Sequence, residues 1–512
     1  MNSESRKFNS IRNIIFGYAN QIITLLLSFV GRTVFIKILG EDYLGINGLF
    51  SDVLMMLSMA DLGFGTAMTY SFYKPVAEHD EKKIAALIHF YKKIYNFIAL
   101  TVAVIGVMLI PFLKYLVNLD QGIPYLKIYY LFFLANTVIS YLFVYKTSII
   151  NASQKNYLIS TYQAVANMVK TILQIITLLL FHNYFVYLFL TIAATLANNL
   201  IASYKADQLY PEIRKGKAEL VPEEKKSIFE NMKSIFLYKV SGVLLNGTDN
   251  TLISIIVGTV WVGIYSNYNM VITAVNGFIN TLFSSVTASI GNVVVTEKSQ
   301  KRYEVFKVMQ LISLAIAAWT TVVMYTLMND LVNVWLGEKF VLTGNILIAI
   351  MCNFYLANIL RPIWSYREAT GLYMQTRYIM LIAAAVNLAL SVILGKIFGM
   401  VGILAASAIS RLVTYFWYEP KLLFKNYFEE SVKDFYLSII KNIILVVCLC
   451  LIILWGGQKF YIDTWAKLFV KAVVVAVIAA VGVLCAYIRT DEFKMVWEMV
   501  SRIIMKIRSH KG

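Results

Sequence analysis

The sequence predicts an all-α membrane protein that crosses the bilayer about fourteen times. Of its 512 residues, 59% are hydrophobic and only 15% are charged, whereas soluble domains carry about 25% charged residues. Apolar runs recur along most of the chain, and many reach the ~20 residues that a helix needs to span hydrocarbon. The net charge of +17 lies mainly in alternate loops, which indicates a membrane topology and no nucleic-acid partner.

The apolar runs define fourteen predicted spans, each with boundaries that are good to a few residues. The first run is too long for the apolar region of a signal peptide and lacks a small-residue cleavage site, so we expect no cleaved leader. The eighth run is longer than one span requires. The predicted spans are 11–39, 45–68, 94–117, 124–150, 158–181, 184–204, 235–258, 260–295, 308–329, 341–363, 378–399, 401–418, 438–456 and 465–488.

The positions of Lys and Arg predict the orientation of the chain. If the N-terminus is cytoplasmic and residues near the span ends are counted with the adjoining loop, the inner segments contain 35 of the 46 Lys and Arg residues and the outer loops contain 7, while four remain within spans. This bias favours an even number of spans with both termini in the cytoplasm. It predicts an N-terminal six-helix bundle (1–210), a cytoplasmic linker loop (211–234), a C-terminal six-helix bundle (235–428), and two extra helices with a basic cytoplasmic tail (429–512).

Two helical hairpins have similar turn sequences and indicate an internal repeat. Spans one and two are joined by a segment that contains Gly40 and Gly45, and spans seven and eight by one that contains Gly258 and Gly263. Glycine allows a tight turn between two helices. The similarity favours duplicated halves related by an axis along the membrane normal, although chance similarity between two membrane hairpins is the alternative.

Charged residues inside apolar spans are the strongest indication of function. Arg32, Asp52, Lys170, Asp249 and Arg411 all lie deep within predicted helices. A charge at the bilayer centre costs between ~2.5 and more than 10 kcal/mol, so such residues normally face a water-filled cavity or one another. We therefore expect a polar pathway through the protein.

The signs of these charges suggest their roles. We expect Arg32, Lys170 and Arg411 to attract an anionic group of a substrate, with Asp52 and Asp249 as counter-ions that exchange partners or protons. Static buried ion pairs are the alternative. Asp61, near the inner end of span two, is a further gate or coupling candidate beside Asp249, or else a helix cap.

Polar stripes at helical spacing accompany the charges. Steps of three and four residues place each stripe on one helix face, which favours the wall of a hydrated cavity, although hydrogen bonding between packed helices is the alternative. The predicted cavity residues outside the charged set are Gln174, Asn250, Asn276 and Asn280. The stripes are Gly17, Gln21, Thr24, Ser28 and Arg32 in span one; Gln163, Asn167, Lys170, Gln174 and Thr177 in span five; Lys239, Gly242, Asn246, Asp249 and Asn250 in span seven; and Ser266, Asn269, Thr273, Asn276, Asn280, Ser284 and Thr287 in span eight.

Several function classes have no support in the sequence. There is no phosphate-binding Gly-x-x-x-x-Gly-Lys motif, which argues against a built-in ATPase. No His, Cys and carboxylate set has metal-ligand spacing, and no soluble segment is long enough for a catalytic module. We therefore expect neither an enzyme nor a cofactor. Coupling to H⁺ or Na⁺ is left open, and an integral-membrane polymerase or glycosyltransferase is the alternative from another class.

The chain resembles the Wzx-type polysaccharide flippases of the multidrug/oligosaccharidyl-lipid/polysaccharide exporter superfamily. The resemblance spans about residues 10–425 and rests on five short motifs. They are Leu39-Gly40…Tyr43-Leu44-Gly45, Asp61-Leu62-Gly63-Phe64-Gly65, Asn246-Gly247-Thr248-Asp249, Val262-Gly263-Ile264-Tyr265-Ser266 and Trp335-Leu336-Gly337…Phe340.

The resemblance implies a specific cargo and mechanism. It implies two six-helix bundles around a V-shaped central cavity, and movement of an undecaprenyl-pyrophosphate-linked oligosaccharide across the bacterial cytoplasmic membrane by alternating access. It also implies a pathway for capsule or exopolysaccharide, with a polymerase and glycosyltransferases as partners. Its cationic headgroup contact falls on Arg32, and less directly on Lys170 and Arg411. A cation-coupled multidrug exporter and a peptidoglycan-precursor flippase are the alternatives.

Overall fold

The protein is almost entirely helical in a computed structural model. The structure describes residues 22–58, 80–119, 122–152, 156–211, 220–370, 372–457 and 462–498, and positions 68, 71, 72, 75, 76, 78 and 501. This part of the chain contains no β-strand, so the predicted all-α fold is confirmed. Within it, ten helices are long and apolar enough to cross a membrane, or eleven if one bent pair of helices is a single span. The chain is therefore a multi-pass membrane protein.

Eighteen helices position the features described below. The first nine are α1 (Ile22–Leu39), α2 (Glu41–Leu57), α3 (Glu81–Met108), α4 (Leu126–Tyr141), α5 (Val144–Ala152), α6 (Asn156–Phe181), α7 (Tyr184–Leu209), α8 (Pro222–Gly247) and α9 (Asp249–Ile256). The others are α10 (Thr259–Thr296), α11 (Ser299–Leu336), α12 (Gly344–Ile359), α13 (Arg361–Thr370), α14 (Tyr373–Phe398), α15 (Met400–Val413), α16 (Tyr415–Leu423), α17 (Lys433–Gly457) and α18 (Trp465–Tyr487).

Every predicted span has a helical counterpart, although the total of fourteen spans stays a prediction. Helices α2, α8–α9 and α10 correspond to predicted spans two, seven and eight but are not among the ten apolar spanning helices. Span seven is broken at Thr248 into α8 and α9. Helix α8 begins at Pro222, inside the segment predicted as a linker, because proline suits the first helical position and Glu223 and Glu224 favour a helix N-terminus.

The chain divides into two compact units, residues 1–266 (unit 1) and 267–512 (unit 2), and the division falls within α10. The core of unit 1 is rich in aromatic rings. Tyr184 makes edge contacts with Phe35, Tyr43 and Tyr129 at centroid distances of 5.8, 5.1 and 4.9 Å. Edge-to-face packing of this kind adds about 0.5–1.5 kcal/mol per pair to the burial of the rings, so it fixes α7 against α1, α2 and α4.

Unit 2 is built around α11, which packs on α12, α13, α17 and α18 and carries a second aromatic cluster. Phe306 contacts Tyr366, Phe428 and Phe435 with ring centroids 5.6, 4.9 and 6.1 Å apart. Helices α17 and α18 instead present apolar side chains outward, including Trp455 at 80% and Phe469 at 70% exposure. Side chains of this type suit contact with lipid tails.

The two predicted repeat hairpins turn at glycines and lie against each other. Gly40 and Gly258 have φ angles of 89° and 139°, which side-chain-bearing residues rarely adopt. A Cβ atom at Gly45 would overlap the carbonyl oxygen of Thr259, and one at Gly263 would lie 2.8 Å from the carbonyl oxygen of Glu41. The start of α2 therefore touches the start of α10 through backbone atoms, which only glycine permits at these two positions.

Candidate substrate-binding cavity

Unit 1 encloses a polar cavity of about 470 Å³ between α2, α4, α6 and α7. Most of its wall is made of amides, hydroxyls and one ammonium group, and no described lining residue is acidic. The lining residues are Asn47, Ser51, Leu54, Met55, Ser58, Phe132, Phe133, Asn136, Thr137, Ser140, Lys170, Gln174, Tyr187, Leu188 and Thr191. Such a wall suits a hydrogen-bonding ligand that carries negative charge.

Two of the predicted site residues, Lys170 and Gln174, lie one turn apart on the wall formed by α6. The Gln174 side chain is 5% exposed and donates hydrogen bonds to the Tyr187 carbonyl oxygen at 3.0 Å and to Thr191 Oγ1 at 2.9 Å. Lys170 has neither an ion pair nor a hydrogen bond with any described residue, although it lines the same space. Its ammonium group is therefore available to a ligand, whereas Gln174 holds α6 against α7.

Arg32 lies beside this cavity and contacts its wall. Its Nη1 donates to Ser266 Oγ at 3.1 Å, and its charge acts on the hydroxyl of Tyr187, which is also hydrogen-bonded to the Asn47 side chain. Tyr187 and Asn47 both line the cavity. Arg32 thus places a second positive charge near Tyr187, one of the residues that line the cavity.

The predicted counter-ion Asp52 meets span seven at its helix break. The side chain of Asn250, in the first turn of α9, hydrogen-bonds to the half-buried Asp52 carboxylate. Asp249 begins the same helix and is half-buried. The structure thus brings Asp52 and Asn250 together, and Asp249 is next to Asn250 in the chain. Asp52 and Arg32 do not form an ion pair. Asp61 lies outside the described residues.

The remaining predicted site residues lie in unit 2. Asn276 and Asn280 both accept hydrogen bonds from Arg361, which lies near the inner end of predicted span ten. Arg411 donates to the carbonyl oxygen of Asn353 at 3.3 Å. These three predicted residues are therefore not part of the unit 1 cavity, and two of them surround an arginine that the sequence did not single out.

Sequence reasoning also missed most of the cavity wall contributed by α2, α4 and α7. Asn47 and Ser51 are four residues apart, as are Asn136 and Ser140, so each pair shares a helix face. Thr191 completes the wall on α7. The spacing was a usable signal, but the pairs are short and uncharged, and short neutral pairs are common in packed membrane helices.

The arrangement provides binding and positioning, and the described residues contain no cluster of three metal-ligating side chains. A family model described as "Polysaccharide biosynthesis protein" matches residues 10–290, which is more than half of the chain. The protein belongs to this family. No curated protein sequence matches the chain significantly.

Solved structures with the same fold are flippases and transporters. "Lipid II flippase MurJ, inward closed conformation" has a TM-score of 0.62 and 16% identity, covering 93% of this chain and 100% of that chain. An inward-facing multidrug resistance MATE transporter of the MOP superfamily has a TM-score of 0.59 and 13% identity, covering 77% of this chain and 93% of that chain. The Vibrio cholerae MATE transporter VcmN has a TM-score of 0.54 and 14% identity, covering 82% and 98%. The predicted resemblance to this exporter superfamily is confirmed at the level of the fold.

Proposed function

We propose that this polysaccharide biosynthesis protein is a flippase for undecaprenyl-pyrophosphate-linked oligosaccharide repeat units, which it moves from the inner to the outer leaflet. Capsule or exopolysaccharide synthesis would be the pathway. The observation that carries the proposal is Lys170, which has no ion-pair or hydrogen-bond partner among the described residues and lines a cavity of about 470 Å³ walled mainly by amides and hydroxyls. An ammonium group matches the anionic diphosphate, while amides and hydroxyls match the sugar hydroxyls that the same cargo presents.

The absence of described acidic residues in the cavity wall favours an anionic cargo over a cationic drug. A multidrug exporter for cations would be expected to place a carboxylate where Lys170 lies, because like charges repel strongly in a low-dielectric site. Arg32, beside Tyr187, strengthens the preference. The multidrug alternative from the same superfamily is therefore the weaker candidate.

Transport would proceed by alternating access, in which one side of the protein closes before the other opens. The first turns of α2 and α10 touch through backbone atoms at Gly45 and Gly263. A tight contact of this type could close one side of the protein. In the predicted topology these turns are on the outer side. The protein would then lie in a bacterial cytoplasmic membrane with both termini inside, near a polymerase and the glycosyltransferases that make its cargo.

Replacing Lys170 by methionine is expected to weaken cargo binding and to stop transport while leaving the fold intact. A hydrogen bond to a charged group contributes about 1.5–3 kcal/mol, which corresponds to roughly a tenfold to hundredfold loss in affinity. Because Lys170 has no described partner, its removal leaves no orphaned charge. Polymer output in a strain that lacks the native gene, complemented by each variant, measures transport, and thermal unfolding of purified protein measures stability.

Lys146→Met is the matched control. Lys146 lies in unit 1 and forms an ion pair with Asp207 at 2.9 Å, with side chains only 15% and 10% exposed. Its loss should lower the unfolding temperature without removing a cavity group. The opposite pattern, normal polymer output with Lys170→Met, would show that Lys170 does not bind the cargo.

A further inference from the structure

We propose that unit 2 contains a second anion-binding subsite, centred on Arg361, that takes the diphosphate of the same lipid-linked cargo. The inference rests on the proposed function and adds a second, separate site for this kind of headgroup. It is based on three observations: the position of Arg361 at a helix break, the neutral amide groups that hydrogen-bond to it, and the cavity that it lines.

Arg361 lies at a break in a membrane helix. It is the first residue of α13, which follows α12 after Leu360 at a bend of 42°. The residue is only 9% exposed, yet it lines a cavity of about 310 Å³ with Asn280, Trp364 and Glu368. In membrane proteins a helix break is tolerated only where the backbone is buried in protein or lines a water-filled cavity, and here Arg361, the first residue after the break, lines a cavity.

Among the described residues, the hydrogen-bond partners of Arg361 are all neutral amides. Nε donates to Asn358 Oδ1 at 2.7 Å, Nη2 donates to Asn276 Oδ1 at 3.1 Å, and Nη1 donates to Asn280 Oδ1. No ion pair joins Arg361 to a described carboxylate. Three asparagine oxygens orient the guanidinium group but leave its full charge uncompensated, which is costly unless a counter-ion binds.

Arg367, on the same helix, shows the alternative. Its guanidinium pairs with Glu419 at 2.6 Å, and the two side chains are 7% and 3% exposed. An arginine with a purely structural role in this helix can therefore be neutralised by a buried carboxylate, as Arg367 is. The contrast assigns a structural role to Arg367 and leaves Arg361 as the cationic group that faces the open space.

The cavity chemistry fits a sugar diphosphate headgroup. A guanidinium has five N–H donors, and three contacts to amides leave donors for a second, bidentate interaction with phosphate oxygens. Trp364 offers an aromatic face, and Thr281 and Ser365 offer hydroxyl groups. Glu368 is the one carboxylate among the described lining residues; it is exposed, forms no ion pair with Arg361, and can accept hydrogen bonds from sugar hydroxyls. Each compact unit thus has one cationic site of its own, Lys170 in unit 1 and Arg361 in unit 2.

Titration of the purified full-length protein with geranylgeranyl diphosphate tests the inference. Geranylgeraniol, which lacks the diphosphate, reports binding through the lipid chain alone. We expect wild-type protein to bind two diphosphates per chain, and Asn280→Asp, Arg361→Gln and Lys170→Met to bind one each. Asn280→Asp is the decisive variant, because it places a carboxylate against Arg361 at almost unchanged size and so removes the free charge without leaving it orphaned.

If Arg361 has only a structural role, Asn280→Asp should not reduce the number of diphosphates bound. The added ion pair would leave both binding equivalents in place, with thermal stability equal to wild type or higher, and that result would overturn the subsite. The same amide-to-acid change at the exposed Asn426 controls for added charge and should leave two equivalents. If wild-type protein binds no diphosphate, the proposed function fails. If it binds two and Asn280→Asp also binds two, only the Arg361 subsite fails.

Discussion

Replacing Gly45 or Gly263 by alanine is expected to block transport almost completely. A methyl group at Gly45 would overlap the carbonyl oxygen of Thr259, and one at Gly263 would lie 3.0 Å from the backbone nitrogen of Gly45. Backbone atoms cannot move aside as a flexible side chain does. Overpacking costs about 1–3 kcal/mol, which shifts the balance between closed and open states by about 5- to 150-fold, so the contact between the starts of α2 and α10 should stay open.

Two measurements separate gating from folding in these glycine variants. Polymer output reports transport, while labelling of a cysteine at Val262 reports opening of the contact, because Val262 is 0% exposed. With the four native cysteines replaced, Gly45→Ala should increase the labelling rate and lower transport together. Gly344→Ala is the control, since an added methyl there meets no described heavy atom within 4 Å. Wild-type transport and labelling by Gly45→Ala would contradict a gating role.

Glu419→Gln is expected to lower the free energy of unfolding by about 3–5 kcal/mol, because it leaves the Arg367 charge buried without its carboxylate. The pair lies 2.6 Å apart with almost no solvent access. The second carboxylate oxygen, Oε2, has no described hydrogen-bond partner, so the amide of Gln gains nothing that offsets the loss. Thermal unfolding in detergent should show the largest decrease of any variant considered above.

The double variant Arg367→Met, Glu419→Leu should recover most of this stability, since apolar residues of similar volume avoid the cost of burying two charges. The exposed pair of Asp463 and Lys467, at 45% and 53% exposure, is the control. Asp463→Asn should leave the unfolding temperature unchanged, because exposed pairs contribute little. Equal unfolding temperatures for Glu419→Gln and wild type would contradict the structural role of this pair.

The positions of the helices and two residues of the unit 1 cavity, Lys170 and Gln174, could be predicted from the sequence because they depend on local patterns. Apolar runs locate the helices, and the glycines at 40 and 258 indicate the two hairpin turns. Lys170 was recognisable because a lone charge in an apolar helix is costly wherever the helix lies. Its neighbour Gln174 was recognisable from the shared helix face.

The partners of these residues could not be predicted, because they depend on which helices pack together. Arg361 and Asn280 are 81 residues apart, and Arg367 and Glu419 are 52 apart. Arg361 lies two residues from the predicted inner end of span ten, so its charge was counted with the inner loop, and the break at Leu360 leaves no signal in a continuous apolar run. Asn276 and Asn280 therefore seemed free to face a substrate, whereas they hold an arginine.

Flipping of a defined cargo in proteoliposomes tests the proposed function most directly. Liposomes would contain purified protein and undecaprenyl pyrophosphate carrying a fluorescently labelled oligosaccharide, and a membrane-impermeant quencher would report the leaflet that holds the label. Wild-type protein should make the whole labelled pool accessible to the quencher, whereas Lys170→Met protein should leave the inner half protected. Equal protection in wild-type, Lys170→Met and protein-free liposomes would contradict the proposed function. So would selective transport of a lipophilic cationic dye or of lipid II by the wild-type protein.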